Sequence, residues 1–275
     1  MIETIYIARH GFRLNWVNTN WKSVTGLPRD PPLAAYGETQ AQELADYFLS
    51  LPAEQRPTAV FSSPYYRCLQ TAKPTSEALN LPIYVEHGLS EWYSPAAPGT
   101  GLHPRPAPAA ELQAYFPTID PVWSSLWHPS RRGEDLPQLH ARTAGVLGAL
   151  IPEIEARFPG AKRVLLVSHA ATVIALARAL LGEPALPLRV GCCSLTEVVR
   201  REGAETGTGR GTVGVLGGWR ALRLVDGAHL KEGASRDWGF EDIVIANGKV
   251  IDDVGVPGTE NEAEDTAGPQ QRSSL

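Results

Sequence analysis

Apolar and polar positions along the chain fall into blocks that predict strands and helices in alternation. Residues 2–8 are β-branched or apolar at most positions, as expected of a strand buried on both faces, and they run into Arg9-His10-Gly11-Phe12-Arg13. Gly11 suits a tight turn at that strand end. A loop carrying Trp16, Trp21, Pro28, Pro31 and Pro32 follows, then a helix over about 34–50. In that helix Ala41, Leu44, Ala45 and Phe48 recur at the spacing of one buried face, and Pro52 and Pro57 close it. Residues 58–62 predict a second strand, and 65–79 a helix that presents Arg67 in its first turn. A short third strand at 83–85 leads to Gly88-Leu89-Ser90-Glu91-Trp92.

The stretch from 93 to 132 is rich in Pro and Ala and too long for a plain connection, so it reads as a lid or insertion with short helices. A long helix is expected over 135–158, kinked or broken near Pro152. The strongest strand pattern, 163–168, ends in His169, and a helix over 170–181 stops at Gly182. Strands near 194–200 and 218–225 flank a glycine-rich tip at about 203–217, expected to be a mobile hairpin loop. Trp238-Gly239-Phe240 reads as a final packing element. The expected fold is α/β, a three-layer α/β/α sandwich around a mainly parallel sheet, with one domain over 1–251 and an acidic disordered tail over 252–275.

Composition narrows the class. Of 275 residues, 43% are hydrophobic and 20% charged, the balance of a globular protein with a substantial core. No run of about 18 apolar residues predicts a membrane span, and the N-terminus resembles no signal peptide, so the expected location is cytoplasmic or nuclear. Net charge is −5, and the segment from 252 onward accounts for it: Asp252, Asp253, Glu260, Glu262, Glu264 and Asp265 stand against Arg272. The remaining body is neutral and shows no basic stripe, so direct nucleic-acid binding is not expected. Cys68, Cys192 and Cys193 have no metal-ligand spacing and are expected as thiols.

Two strands end in histidine, His10 and His169, while Arg67 starts a helix and Glu91 follows another strand. Strand ends of one sheet converge on a crevice. Planar guanidinium forks bind phosphoryl oxygens bidentately, which makes Arg9, Arg13 and Arg67 a phosphate cradle, aided by the N-terminus of the 65–79 helix. One histidine can then act as nucleophile, because neighbouring guanidinium groups keep an imidazole neutral. Glu91 can protonate the leaving oxygen. Taken singly, each of these residues is more often structural than catalytic.

These residues resemble the histidine phosphatase, or phosphoglycerate mutase-like, superfamily. Arg9-His10-Gly11 matches its signature, and Pro32-Leu33 with Gly37, Gln40 and Ala41 resembles the next motif. Ser62-Ser63-Pro64-Tyr65-Tyr66-Arg67 with Thr71-Ala72, then Gly133-Glu134, then Ser168-His169-Ala170 match later blocks, so the likeness spans about 2–225. The resemblance implies that His10 is phosphorylated, that His169 is the second phosphate-binding histidine, that Arg9 and Arg67 bind phosphate, and that Glu91 is the general acid. It implies no metal and no other cofactor.

Departures narrow the branch. Ala170 stands where acid phosphatases of the family carry an Asp proton donor. Trp92 and Tyr93 follow Glu91 where true mutases carry an Arg for the substrate carboxylate. Arg9-His10-Gly11-Phe12-Arg13 with Glu91-Trp92 is similar to protein-tyrosine-phosphatase-like members, and these stretches together with Cys192-Cys193 and Asp237-Trp238-Gly239-Phe240 resemble the histidine phosphatase domain of the fungal transcription factor tau subunit of RNA polymerase III.

The leading expectation is a phosphomonoester hydrolase favouring aryl phosphates such as phosphotyrosine, on a small molecule or a phosphoprotein, with Trp16, Trp92 and Tyr93 as substrate walls. The alternatives are an assembly module with a transcription-factor complex as partner, and a mutase-type enzyme. His87, His103, His128, His140 and His229 sit in loops or on helix faces and are expected to be mainly structural, with His103 and His128, in the insertion, the first candidates to touch substrate; Tyr115, Phe116, Trp123 and Trp127 are expected as core of the insertion.

Overall fold

Period-two burial in the first strand sets the layering. The computed structural model describes residues 1–202, 215–243, 245–246 and 249–250. In β1 (Thr4–Arg9) every residue is buried, and Ile5 and Ile7 enter one core while Tyr6 and Ala8 enter another. β4 (Arg163–Ser168) divides in the same way, Val164 and Leu166 against Leu165 and Val167. Each such aliphatic side chain contributes about 1.5–3 kcal/mol when fully buried. A strand apolar on both faces is stable only between two helical layers, and this chain supplies them. α1 (Ala35–Ser50) and α2 (Tyr66–Leu79) cover one face, and α4 (Leu136–Arg157) and α5 (Ala170–Leu181) the other, with α3 (Ala109–Leu112) a single turn between.

β2 (Ala59–Ser62), β3 (Ile83–Val85), β5 (Leu195–Arg200) and β6 (Trp219–Asp226) complete a six-stranded sheet of order β3-β2-β4-β1-β5-β6. The first four positions run parallel, while β5 and β6 add an antiparallel edge. The fold is thus an α/β, mostly parallel, phosphoglycerate mutase-like architecture. The pairs β7 (Ile245–Ala246) and β8 (Lys249–Val250) form a separate two-stranded ribbon.

Two local expectations are corrected. Gly11 has no positive φ; it is glycine because a Cβ there would stand 2.6 Å from the Gly37 carbonyl oxygen, where the loop after β1 presses on α1. Of the kink or break expected at Pro152, the break is absent: α4 runs as one helix, with Leu150, Ile151 and Ile154 buried around the proline. Core packing outweighs the one backbone hydrogen bond that proline removes. The N-terminus of α4 is fixed by a capping box, in which Gln138 N donates to Asp135 Oδ1 and Asp135 N donates to Gln138 Oε1, each at 2.8 Å.

The segment 93–132 is irregular apart from α3 and is tied down by Glu86, whose carboxylate accepts from Trp123 Nε1, Leu126 N and Trp127 N. Phe116 and Trp123 are buried as expected, whereas Tyr115 is 45% exposed. Most of the expected mobile glycine-rich loop, 203–214, and the expected acidic tail lie outside the described residues.

Candidate active site

Register brings the two histidines together. Arg9 pairs with Ser168 across the parallel β1–β4 ladder, so His10 and His169 leave adjacent strand ends and their ring centroids lie 5.4 Å apart. Both are buried, and their rings differ in what they touch. His10 Nδ1 is 2.8 Å from the Gly11 carbonyl oxygen, which can only accept, so Nδ1 carries the proton and Nε2 a lone pair. No residue described here hydrogen-bonds to that Nε2, and His10 lines an open cavity of about 260 Å³. His169 is engaged at both nitrogens: Nε2 lies 2.8 Å from Ser63 Oγ, and Nδ1 lies 3.1 Å from Arg67 Nη2 and 3.3 Å from Glu91 Oε2.

Three guanidinium groups surround this pair. Arg67, 1% exposed at the start of α2, donates to Asp30 Oδ1 at 3.0 Å and to Glu91 Oε2 at 3.1 Å. Burial opposes its charge, and the two carboxylates overcome that, raising its pKa. Arg9 Nη1 donates to the carbonyls of Val190 and Arg236, each at 2.6 Å. The Arg13 guanidinium lies 4.3 Å from the Trp16 ring centroid. The Nε atoms of all three arginines are buried without a protein hydrogen-bond partner.

Burial, then Arg67 and Arg9, hold the His10 pKa well below its usual 6.5, so the ring is neutral at neutral pH. His169 is lowered to about 4, by burial first, with Glu91 opposing. For Glu91 burial favours the neutral acid, but His169, Arg67 and Arg13 outweigh it and hold the carboxyl below its ordinary range. With His169 neutral, the guanidinium groups carry most of that effect. Glu91 remains 20% exposed and faces the cavity.

The loop bearing Glu91 is clamped from three elements. Ser168 Oγ donates to Leu89 O at 2.7 Å, Thr172 Oγ1 to Ser90 O at 2.9 Å, and Arg142 Nη1 to Gly88 O at 2.7 Å. Arg142 is itself held by both oxygens of Glu134, each 2.8 Å from its Nε. Gly133, at φ +87°, makes the turn before Glu134, and a Cβ there would clash with Ser94 O at 2.3 Å. Sequence reading noted Gly133-Glu134 as a motif but missed this clamp. It also missed Asp30, which fixes Arg67 and caps α2 through Tyr66 N at 2.9 Å; the acid in Arg29-Asp30-Pro31 gives no sign in the sequence of its partner or its burial.

The expected walls sit at different depths. Trp92 and Tyr93 line the cavity with Ala170, Ala171 and Trp238. Trp92 is also bonded to the frame, its Nε1 donating to Glu134 O at 2.7 Å. Tyr93 stacks on His103 at 4.7 Å, so His103 braces the wall, while the His128 ring lies tilted against His87 at 4.6 Å. Trp16 lies against Arg9 and Arg13, 6.5 Å from the His10 ring, and is not among the residues lining the cavity. His10, Glu91 and His169 offer three ligand atoms within 4.8 Å of one another, close enough for a metal ion. Arg9, Arg13 and Arg67 repel a divalent cation there and suit an anion.

Comparisons with known proteins place the chain in a family. A sequence profile described as the histidine phosphatase superfamily (branch 1) matches residues 5–208. The chain belongs to that family. It is 40% identical over 207 residues to the transcription factor tau 55 kDa subunit of Saccharomyces cerevisiae, covering 71% of this chain and 47% of that protein. It is 26% identical over 210 residues to the ecdysteroid-phosphate phosphatase of Drosophila melanogaster, covering 65% of this chain and 27% of that one. The chain thus spans half or less of the curated relatives it matches. Among solved structures, the ecdysone phosphate phosphatase of Bombix mori in complex with tungstate superposes with a TM-score of 0.59 at 19% identity, over 80% of this chain and 92% of that one. Mycobacterial glucosyl-3-phosphoglycerate phosphatase gives 0.52 at 22% identity, over 81% and 98%. At these identities the structural matches speak for the histidine phosphatase fold alone. Among the described residues no helix is long and apolar enough to cross a membrane.

Proposed function

We propose that this histidine phosphatase family member hydrolyses phosphomonoesters through a phosphohistidine on His10. The observation that carries the reading is the free ring nitrogen: His10 Nε2 has no partner among the described residues, the ring proton is committed to Gly11 O on the other side, and His10 lines a cavity together with Arg9 and Arg13. Arg9, Arg13 and Arg67 take the phosphoryl oxygens, and His169 stands beside them. Nε2 attacks phosphorus, the bond to the ester oxygen breaks, and that oxygen takes a proton from Glu91. An arriving phosphoryl anion offsets the cations that hold Glu91 ionised, so substrate itself lets the carboxyl carry that proton. Water then attacks phosphorus, Glu91 takes its proton, the P–N bond breaks and phosphate leaves. No metal or other cofactor enters these steps.

Substrate preference follows the walls. Trp92 and Tyr93 directly follow Glu91, so they adjoin the leaving group, and an aromatic alcohol such as a phosphotyrosine side chain stacks there. A good ring contact is worth about 0.5–1.5 kcal/mol, or about two- to tenfold. Trp92 and Tyr93 offer no cation to a carboxylate at that position, which disfavours the mutase alternative. The test is kcat/KM for phenyl phosphate against 3-phosphoglycerate. The aryl ester is expected to lead, and Trp92→Ala to narrow the gap. Faster turnover of phosphoglycerate would overturn the aromatic preference, and activity retained in His10→Ala would overturn the mechanism.

A second reading, an assembly module for a transcription-factor complex, is favoured by the 40% identity to the tau subunit. In that case His10→Ala leaves association with such a complex intact, and co-purification measures it.

A further inference from the structure

One guanidinium beside the cradle arginines has no part in the steps above. Arg236 is exposed, with a backbone φ of +56°. The strained conformation is held by its neighbours: Arg9 Nη1 donates to the Arg236 carbonyl at 2.6 Å, Cys192 N to Ser235 O at 2.8 Å, and Val190 N to Trp238 O at 2.8 Å. This backbone carries the side chain over Trp16, its guanidinium 5.2 Å from that ring and 5.6 Å from Phe12. The same indole has Arg13 at 4.3 Å and Arg9 at 5.8 Å. Among the described residues neither Arg13 nor Arg236 has a carboxylate within ion-pair distance, whereas Arg67 has two.

Cations gathered on one aromatic ring repel one another, and the ring offsets only part of that. Arg9, Arg13 and Arg67 suffice for one phosphoryl group. Arg236 is surplus to it, exposed, and seated on the same indole as Arg9 and Arg13, the two arginines that line the cavity.

We propose that Arg236, seated on Trp16, is a specificity-determining residue that binds a second anionic group of the substrate. The substrate class is then an aryl phosphomonoester that carries a further phosphate or carboxylate outward from the ring, which rests on the phosphatase reading above and refines it. For an aryl phosphate this means an acidic neighbour to the ring.

Non-hydrolysable probes separate the two claims. Binding of methylphosphonate, 3-phosphonopropionate and methylenebisphosphonate is measured by calorimetry on the full chain. The two probes that carry a second anionic group are expected to bind about five- to tenfold more tightly than methylphosphonate, the size of one exposed charge-assisted contact. Their difference tells carboxylate from phosphate as the second group. Arg236→Gln, which keeps the backbone carbonyl that holds Arg9, is expected to abolish the advantage and leave methylphosphonate unchanged, and Arg236→Lys to retain part of it. Equal affinity of all three probes, or an equal loss for all three in Arg236→Gln, overturns the proposal while the phosphatase reading stands. Failure of every probe to bind overturns both. Tight bisphosphonate binding that needs Arg236 in a protein without turnover upholds the second-anion site and overturns the hydrolase.

Discussion

Glu86 and Arg67 are both sealed from solvent, at 0% and 1% exposure, and the protein treats their charges in opposite ways. Glu86 accepts from Gly88 N at 2.9 Å, Trp123 Nε1 at 3.1 Å, Leu126 N at 2.9 Å and Trp127 N at 3.2 Å. Its donors are neutral dipoles drawn from its own loop and from the insertion, so the ion fastens two segments together. Arg67 meets Asp30, Glu91 and His169, yet its Nε has no protein partner, nor do those of Arg9 and Arg13 beside it. An ion saturated by dipoles holds a fold. Cations crowded together with donors to spare bind an anion, and the fold must supply the energy that keeps them there.

Breaking the two regions separately sharpens the contrast. The largest effect belongs to His10→Ala, expected to cut kcat/KM for p-nitrophenyl phosphate by at least about a thousandfold. Its melting temperature is expected to fall by no more than a few degrees, because the one ring hydrogen bond runs to the adjacent residue. Turnover and a thermal scan on one preparation check both. Arg67→Leu should damage both properties: it leaves Asp30 buried without its counter-ion, at a cost of about 3–5 kcal/mol, and it opens the cradle. Adding Asp30→Leu is expected to restore much of the stability by urea melting and none of the activity. Recovery of activity in the double variant would place Arg67 outside the phosphate site.

Glu86→Gln comes next. An amide turns two donors toward groups that themselves donate, at a cost of about 1–3 kcal/mol. Below the lowered melting temperature, kcat/KM is expected to stay within about a factor of two of wild type. A tenfold loss would mean that the Glu86 anchor reaches the chemistry.

The smallest effect is read against pH. His10 must be neutral to attack, and its pKa lies below 6.5 in the fold, so the acid limb of kcat/KM is expected below that value. His169, at about 4 folded against an ordinary 6.5, has the same sign. Above 6.5 the ring is neutral folded or unfolded, and its contribution to stability is complete. As pH falls from 6.5 toward 4 the unfolded chain binds a proton that the folded one refuses, so stability declines. Urea melts at pH 7.5 and 5 measure the decline, and His169→Gln is expected to lessen it.

Much of this was legible without coordinates, because its causes are local. Strand 163–168 and the helix over 34–50 declare themselves through the period of their apolar residues, and His10, Arg67, Glu91 and His169 through short motifs at element ends. Whatever depends on a partner far along the chain was not legible. Asp30 reaches Arg67 across 37 residues, Arg142 reaches Gly88 across 54, and Arg9 reaches the Arg236 carbonyl across 227. The same holds for Trp92, whose following position to Glu91 suggested a wall but not its bond to Glu134. Periodicity and turn chemistry act over a few residues and survive in the bare chain. Which buried charge meets which partner is settled only when the two cores close around β1 and β4, since desolvation makes an unpaired choice too costly to persist.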